Sequence, residues 1–292
     1  MLIREYELSS DERNSVRQAA QFVQLELMVN GWGPGNCYSI AKTLPVRLVN
    51  ALESLHSATV FKALLFRNWM NVESVVPTPR LAIDSVPLKL VGTEAYLFIA
   101  SVLTGEPSHF KGWCQNAMLQ NVFPIRRLAH TQSGSNEVAL LLHTELPFRP
   151  DTPQTLLLLC VRAGPVPRPA TLLSNIADAA DSLEKRRVLL QDAAYFFTNG
   201  DFRTPSKAIE QLCRNGRSHF GFSQALLAEG EHSQVLSDLK AAVIAQIQSV
   251  VLETGDLLVL DNTTVCHGRV PVNVKYDGSD RWLQRMLTKL RN

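Results

Sequence analysis

The sequence predicts a mainly β protein, a sandwich or barrel core with helices packed outside it. Three observations carry that expectation. Short apolar runs of strand length, bounded by turn residues, recur through the second half at 117–123, 138–143, 156–161, 257–261 and 282–288. Long helical periodicities are concentrated in the first third of the chain. No repeat, low-complexity tract or Gly/Ser/Pro-rich linker divides the 292 residues. One domain is therefore expected over 1–292, with a helical flank and first strands in 1–110, a β core in 111–292, and an insertion at about 196–233.

The elements follow in order. Ser9 and Ser10 precede Asp11 and Glu12, an N-cap followed by an acidic first turn. Val16, Ala19, Ala20, Val23 and Leu27 then recur at helical spacing, and Asn30-Gly31 supplies the stop. A second helix follows Pro45 on Val46, Val49, Leu52 and Leu55. Residues 59–66, rich in Val, Phe and Leu, read as a strand. Pro77, Pro79 and Pro87 mark an extended connection, after which 88–103 reads as a buried helix ending at Gly105. Between the third and fourth strand-like runs, 171–180 and 235–252 read as two helices, and the insertion is the least regular stretch of the chain.

Composition narrows the classes. Hydrophobic residues at 46% and charged ones at 19% suit a globular enzyme rather than a disordered or coiled-coil chain. Twenty-nine basic residues against 27 acidic ones leave +2, too even for electrostatic binding to nucleic acid or a membrane surface. The densest apolar stretch, 156–161, is far shorter than the ~20 residues of a membrane span. The opening MLIREYELSSDER lacks the apolar segment of a secretory signal. Five cysteines (Cys37, Cys114, Cys160, Cys213, Cys266) form no CxxC pair, which points to free thiols and a reducing, cytoplasmic setting. Phosphate-loop and zinc-finger spacings are absent. Nothing in the pattern speaks to oligomeric state.

The chemistry concentrates in two places. His143-Thr144-Glu145 follows an apolar strand directly, and residues i and i+2 of extended backbone point to the same side, so imidazole and carboxylate converge. His267 lies far downstream in LLVLDNTTVCHGR, just past a buried strand. Two histidines and a carboxylate suit a facial triad that leaves three octahedral positions open on Fe(II). Arg281 and Arg285, four apart in the strand-like DRWLQRML, share one face, and arginine grips carboxylates bidentately. Trp282, Leu283, Met286 and Leu287 are expected to bury the other face.

The blocks GSNEVALLLHTE, GDLLVLDNTTVCHGRVP and YDGSDRWLQR together resemble the clavaminate-synthase-like branch of the Fe(II)/2-oxoglutarate oxygenases, which includes the asparagine and arginine β-hydroxylases. The resemblance runs from Val75 to Arg285. It implies a distorted double-stranded β-helix, a cupin-like jelly roll with flanking helices. It also implies Fe(II), 2-oxoglutarate and O2 as cofactors, and hydroxylation of an unactivated C–H bond in natural-product biosynthesis. Residue by residue, His143, Glu145 and His267 become iron ligands. Arg281, fourteen residues after His267, holds the distal carboxylate of 2-oxoglutarate with the Thr171 hydroxyl. Arg285 holds the substrate's carboxylate, Ser133 makes a polar substrate contact, and the non-ligating oxygen of Glu145 accepts from a substrate amine. With a carboxylate at 145, hydroxylation is favoured over halogenation, while desaturation and cyclisation stay open.

For the small-molecule substrate, Asp201 is the only carboxylate in 196–209, and Tyr195, Phe196, Phe197, Phe202, Phe220 and Phe222 are available to line an apolar pocket. That favours a neutral compound built from amino acids, such as an aliphatic amino acid or a cyclic dipeptide. Two alternatives stand beside this reading: a jelly-roll metabolite-binding protein without turnover, and a cupin-like metal enzyme that does not use 2-oxoglutarate. His56, His109, His130, His219 and His232 have no partner at ligand spacing and are expected to be structural or at the surface. Cys266 is expected in the core. Asn262 is expected to order the turn before His267, and Gly268 to permit a close backbone approach.

Overall fold

The computed structural model describes residues 2–31, 36–71, 77–79, 92–111, 114–132, 136–147, 152–192, 194–199, 202–206 and 222–291. In chain order the elements are β1 (Ile3–Glu7), α1 (Ser10–Asn30), α2 (Cys37–Ala41), α3 (Val46–Glu53), β2 (Ala63–Arg67), α4 (Glu94–Thr104), β3 (Glu106–Pro107), β4 (Leu119–Val122), β5 (Leu140–His143) and β6 (Thr155–Arg162). There follow β7 (Ala170–Asn175), α5 (Ile176–Asp181), β8 (Tyr195–Asn199), β9 (Phe202–Ser206), β10 (Leu227–Ala228), α6 (Glu231–Ala245), β11 (Gln248–Val251), β12 (Leu257–Asp261), β13 (Val265–Arg269) and β14 (Trp282–Lys289).

Two sheets face each other. The larger runs β1-β2-β12-β6-β14-β3, with β4 also paired to β14; the smaller runs β11-β7-β13-β5. Among the described residues only β1 and β2 pair in parallel; the other strand pairs are antiparallel. The period-2 alternation of each strand divides its side chains between two cores. On the larger sheet Leu64, Phe66, Leu157, Leu159, Leu257, Val259 and Met286 pack against α1 to α4. Leu65, Leu156, Leu158, Leu258, Leu260, Leu283 and Leu287 point the other way, meeting Leu173, Val250 and Val265 of the smaller sheet. The outer face of the smaller sheet, with Leu142 and Cys266, is covered by α5 and α6 through Ile176, Val235, Leu239 and Val243. The result is four layers: helices, large sheet, small sheet, helices. Among the described residues no helix is long and apolar enough to cross a membrane.

The two helices expected near the N-terminus form as α1 and α3, and α2 between them was not expected. The Ser9 hydroxyl accepts from the Glu12 N–H at 3.2 Å while the Glu12 carboxylate accepts from the Ser9 N–H at 2.9 Å, a reciprocal cap. Gly31, at φ 73°, ends α1 with its N–H on the Leu27 carbonyl. Two expected helices are corrected. Residues 171–180 begin as strand β7, and helix starts only at Ile176, where the Asn175 side chain caps it. Likewise 235–252 is helix only to Ala245 and then becomes strand β11. Both strands are held by the smaller sheet, whose ladder overrides a locally helical composition. The insertion contains a hairpin, β8 against β9, with β10 on β8. Tyr195 and Phe222 are core residues rather than pocket lining. Asp201 and Phe220 lie outside the described residues, as do the side chains of Phe196, Phe197 and Phe202.

Asp261, at the end of β12, fastens the large sheet to the helical layer. It is 1% exposed, and its carboxylate faces His56 Nδ1 at 3.3 Å, Lys62 Nζ at 3.6 Å and the Thr263 hydroxyl. Burial opposes its ionisation, but His56, Thr263 and Lys62 hold the carboxyl below its usual value. A carboxyl more acidic folded than unfolded contributes stability that is complete above its unfolded pKa of about 3.9 and is lost as pH falls through the lower folded value. Asp261→Asn is therefore expected to melt below wild type at neutral pH, with the gap closing below pH ~4. Thermal melts across that range test this; a gap independent of pH would refute it.

Candidate active site

The site lies where the two sheets face each other. β13 and β5 pair so that His267 stands directly opposite His143, with ring centroids 4.5 Å apart. His267, expected just past the buried strand β12, lies in the next strand, β13. Glu145 sits two residues beyond His143, and one ligand atom from each of the three lies within 4.8 Å of the others. The alternation expected of His143-Thr144-Glu145 is realised: Thr144 turns away to bond the Phe222 backbone while its neighbours converge.

The protonation states suit a cation. His143 Nδ1 is 2.8 Å from the Leu141 carbonyl, which can only accept, so Nδ1 carries the proton and Nε2 offers its lone pair. Burial and then the neighbouring His267 push the His143 imidazole down to about 4, so it is neutral at physiological pH. Burial works against ionising Glu145, yet Arg285 and His267 hold its carboxyl well below the usual range. The buried Nδ1 of His267 has no hydrogen-bond partner among the described residues, and Nε2 is 3.4 Å from Glu145 Oε1. Two imidazole nitrogens and one carboxylate oxygen, converging and incompletely satisfied, fit a divalent first-row metal ion.

The arginines take different roles. Arg281 is 5% exposed and donates to the Thr171 hydroxyl at 3.0 Å. Burial lowers its pKa, and it has no carboxylate partner among the described residues. Arg285 is anchored on three sides: Nη1 to Glu145 Oε1 at 2.7 Å, Nε to Gln120 Oε1 at 2.8 Å, and Nη2 3.9 Å from Cys114 Sγ. Both point from β14 and its N-terminal end toward the smaller sheet, as does the apolar pair Leu283 and Leu287. Only Trp282 and Met286 bury the opposite face, which corrects the expectation that all four would.

Other expectations sort cleanly. Ser133 lies outside the described residues, as does His219. His56 is buried against Thr155 and Asp261, His232 pairs with Asp192, and His109 and His130 are exposed. Cys266 is fully buried. Gln120, directly opposite Arg285 on β4, and Cys114 were not singled out from sequence. The signal available for Gln120 was a pair of adjacent amides, Gln120 and Asn121, flanked by Leu119 and Val122.

The model of the taurine catabolism dioxygenase TauD, TfdA family matches residues 116–287. The L-asparagine oxygenase of Streptomyces coelicolor is 28% identical over 225 residues, 74% of this chain and 67% of that one. Clavaminate synthase 2 of Streptomyces clavuligerus is 26% identical over 261 residues, 85% of this chain and 80% of that one. The crystal structure of an asparagine oxygenase in complex with Fe(II), 2S,3S-3-hydroxyasparagine and succinate superposes with a TM-score of 0.82 at 23% identity, covering 98% of this chain and 93% of that one. Site and relatives define a 2-oxoglutarate-dependent non-haem iron oxygenase, with Fe(II) as cofactor and 2-oxoglutarate and O2 as co-substrates. The chain belongs to the TauD/TfdA dioxygenase family.

Proposed function

We propose that the protein hydroxylates an unactivated C–H bond of a free amino acid, or of a small molecule derived from one, in natural-product biosynthesis. The carrying observation is the convergence of His143, Glu145 and His267 beside a buried arginine that lacks a carboxylate partner among the described residues. In this reading the three residues hold Fe(II) facially, and Arg281 with Thr171 takes the distal carboxylate of 2-oxoglutarate. Bound together, iron and 2-oxoglutarate would activate O2, the oxidant, for attack on a C–H bond, with 2-oxoglutarate supplying two of the electrons.

The chain's part is geometry and charge. Neutral His143 and ionised Glu145 present ligand lone pairs without a prior proton transfer. Arg285, steadied by Gln120, meets the substrate carboxylate, and the second oxygen of Glu145 accepts from its amine. Ser133 is assigned a further polar contact. The relatives' names, L-asparagine oxygenase and L-lysine 3-hydroxylase, support an amino-acid-derived substrate. We further read the two sheets as the layers of a distorted jelly roll, and 1–292 as one oxygenase domain.

The test is anaerobic. Fe(II) and 2-oxoglutarate added to the apoprotein are expected to give their weak visible charge-transfer band, absent in His143→Ala. Titration with amino acids and cyclic dipeptides should then perturb the band, and the perturbing compound names the substrate. A folded wild-type protein that shows no band would sink the assignment.

A further inference from the structure

Asn262 holds both sides of the Glu145 residue. Its Oδ1 accepts from the Glu145 N–H at 2.7 Å, and its Nδ2 donates to the Glu145 carbonyl at 3.2 Å and to the Pro153 carbonyl at 2.8 Å. The side chain is fully buried, and its own N–H is tied to the Gln154 carbonyl at 2.8 Å. These contacts fall where the sheet stops helping. The β5–β13 ladder ends at the His143–His267 pair, so Glu145 lies beyond it. The next residue, Leu146, is at φ 52°, a left-handed conformation that a leucine rarely adopts. The chain therefore turns sharply just after the carboxylate. The only side chain hydrogen-bonded to both flanking peptides among the described contacts is Asn262, in the turn joining β12 to β13.

We infer that Asn262 is a positioning residue for the Glu145 carboxylate, not merely an organiser of the turn before His267. A single carboxamide thereby couples the strand carrying one histidine to the backbone of the carboxylate two residues beyond the other. The inference rests on Glu145 being a metal ligand, as proposed above. Second contacts of this kind typically change metal affinity by about 10–100-fold when removed. Asn262→Asp is the sharpest variant: it is isosteric and keeps the acceptor for the Glu145 N–H, but it turns an oxygen toward two carbonyl oxygens.

Co(II), which reports ligand geometry through its visible d–d bands, is the probe. Wild type should bind one equivalent, and loss of that binding in Glu145→Ala tests the ligand assignment by itself. Asn262→Asp and Asn262→Ala should bind about 10–100-fold more weakly, with altered d–d bands. Thr263→Ala loosens the same turn by removing a hydroxyl bond to Asp261, and should lower the melting temperature with wild-type Co(II) affinity. Wild-type affinity and spectrum in the Asn262 variants, or equal weakening in Thr263→Ala, overturns the inference. Amide exchange in the wild-type apoprotein gives a reading that needs no variant. The Glu145 N–H should be as protected as β12, and exchange at loop rates would also overturn it.

Discussion

Arg281→Met should lose 2-oxoglutarate binding and melt higher than wild type. Arg281 is a cation at 5% exposure whose described hydrogen-bond partner is the neutral Thr171 hydroxyl. Holding an ion away from water without a counter-charge costs several kcal/mol, and burial has already lowered its pKa. Replacement by an unbranched apolar side chain of similar reach removes that cost, for a gain of about 1–4 kcal/mol. The same change deletes the buried guanidinium that we assign to the distal carboxylate. Truncating one member of a buried charge pair costs about 2–5 kcal/mol in binding, so 2-oxoglutarate affinity should fall by between about 30-fold and about 4,000-fold. Calorimetric titration of 2-oxoglutarate into the anaerobic Co(II)-loaded protein, beside a thermal melt, reads both effects. Retained affinity would remove Arg281 from the clamp. A lower melting temperature would mean that the arginine stabilises the fold in its own right.

That opposition between stability and function explains why the site was legible in the sequence. A strand-like run that places Arg281 and Arg285 among Trp282, Leu283, Met286 and Leu287 breaks the rule that buried positions are apolar. Such breaks concentrate where chemistry is done. His143 and Glu145 were readable for a related reason, since their spacing matches the strand period and brings two ligands to one side. The large sheet was also visible, because β6 (TLLLLCVR) and β12 (LLVLD) are nearly continuous apolar runs and β14 carries Trp282, Leu283, Met286 and Leu287. The small sheet was not. β7 reads ATLLSN and β11 reads QSVV, and both run on from or into helices with no Gly or Pro between. Only pairing with β13 and with each other makes them strands. β13 itself, VCHGR, carries little strand propensity, so its extent and its pairing with β5 and β7 were not visible. Asn262 shows the remaining limit. Its neighbourhood in sequence suggested a turn, whereas its hydrogen bonds reach Glu145, 117 positions away.

Gly268→Ala should cost both stability and metal affinity, because the backbone of β5 leaves no room for a side chain at this position of β13. A Cβ there would lie 2.6 Å from the Leu140 carbonyl oxygen and 3.2 Å from the Leu142 nitrogen. Both are backbone atoms and cannot swing aside. The register shows why the space is short. His267 pairs with His143 and Arg269 with Leu140, so two steps along β13 span three along β5, a bulge whose extra residue crowds Gly268. Adding a methyl must push β5 from β13, at about 1–3 kcal/mol, and the displacement separates His143 from His267. Cys266→Ala is the comparison. Its side chain packs on the outer face toward α5 and α6, so removing the sulfur should destabilise through a small cavity while leaving Co(II) affinity unchanged. If Gly268→Ala binds Co(II) as wild type does, with the same d–d bands, the spacing of these strands does not set the spacing of the ligands.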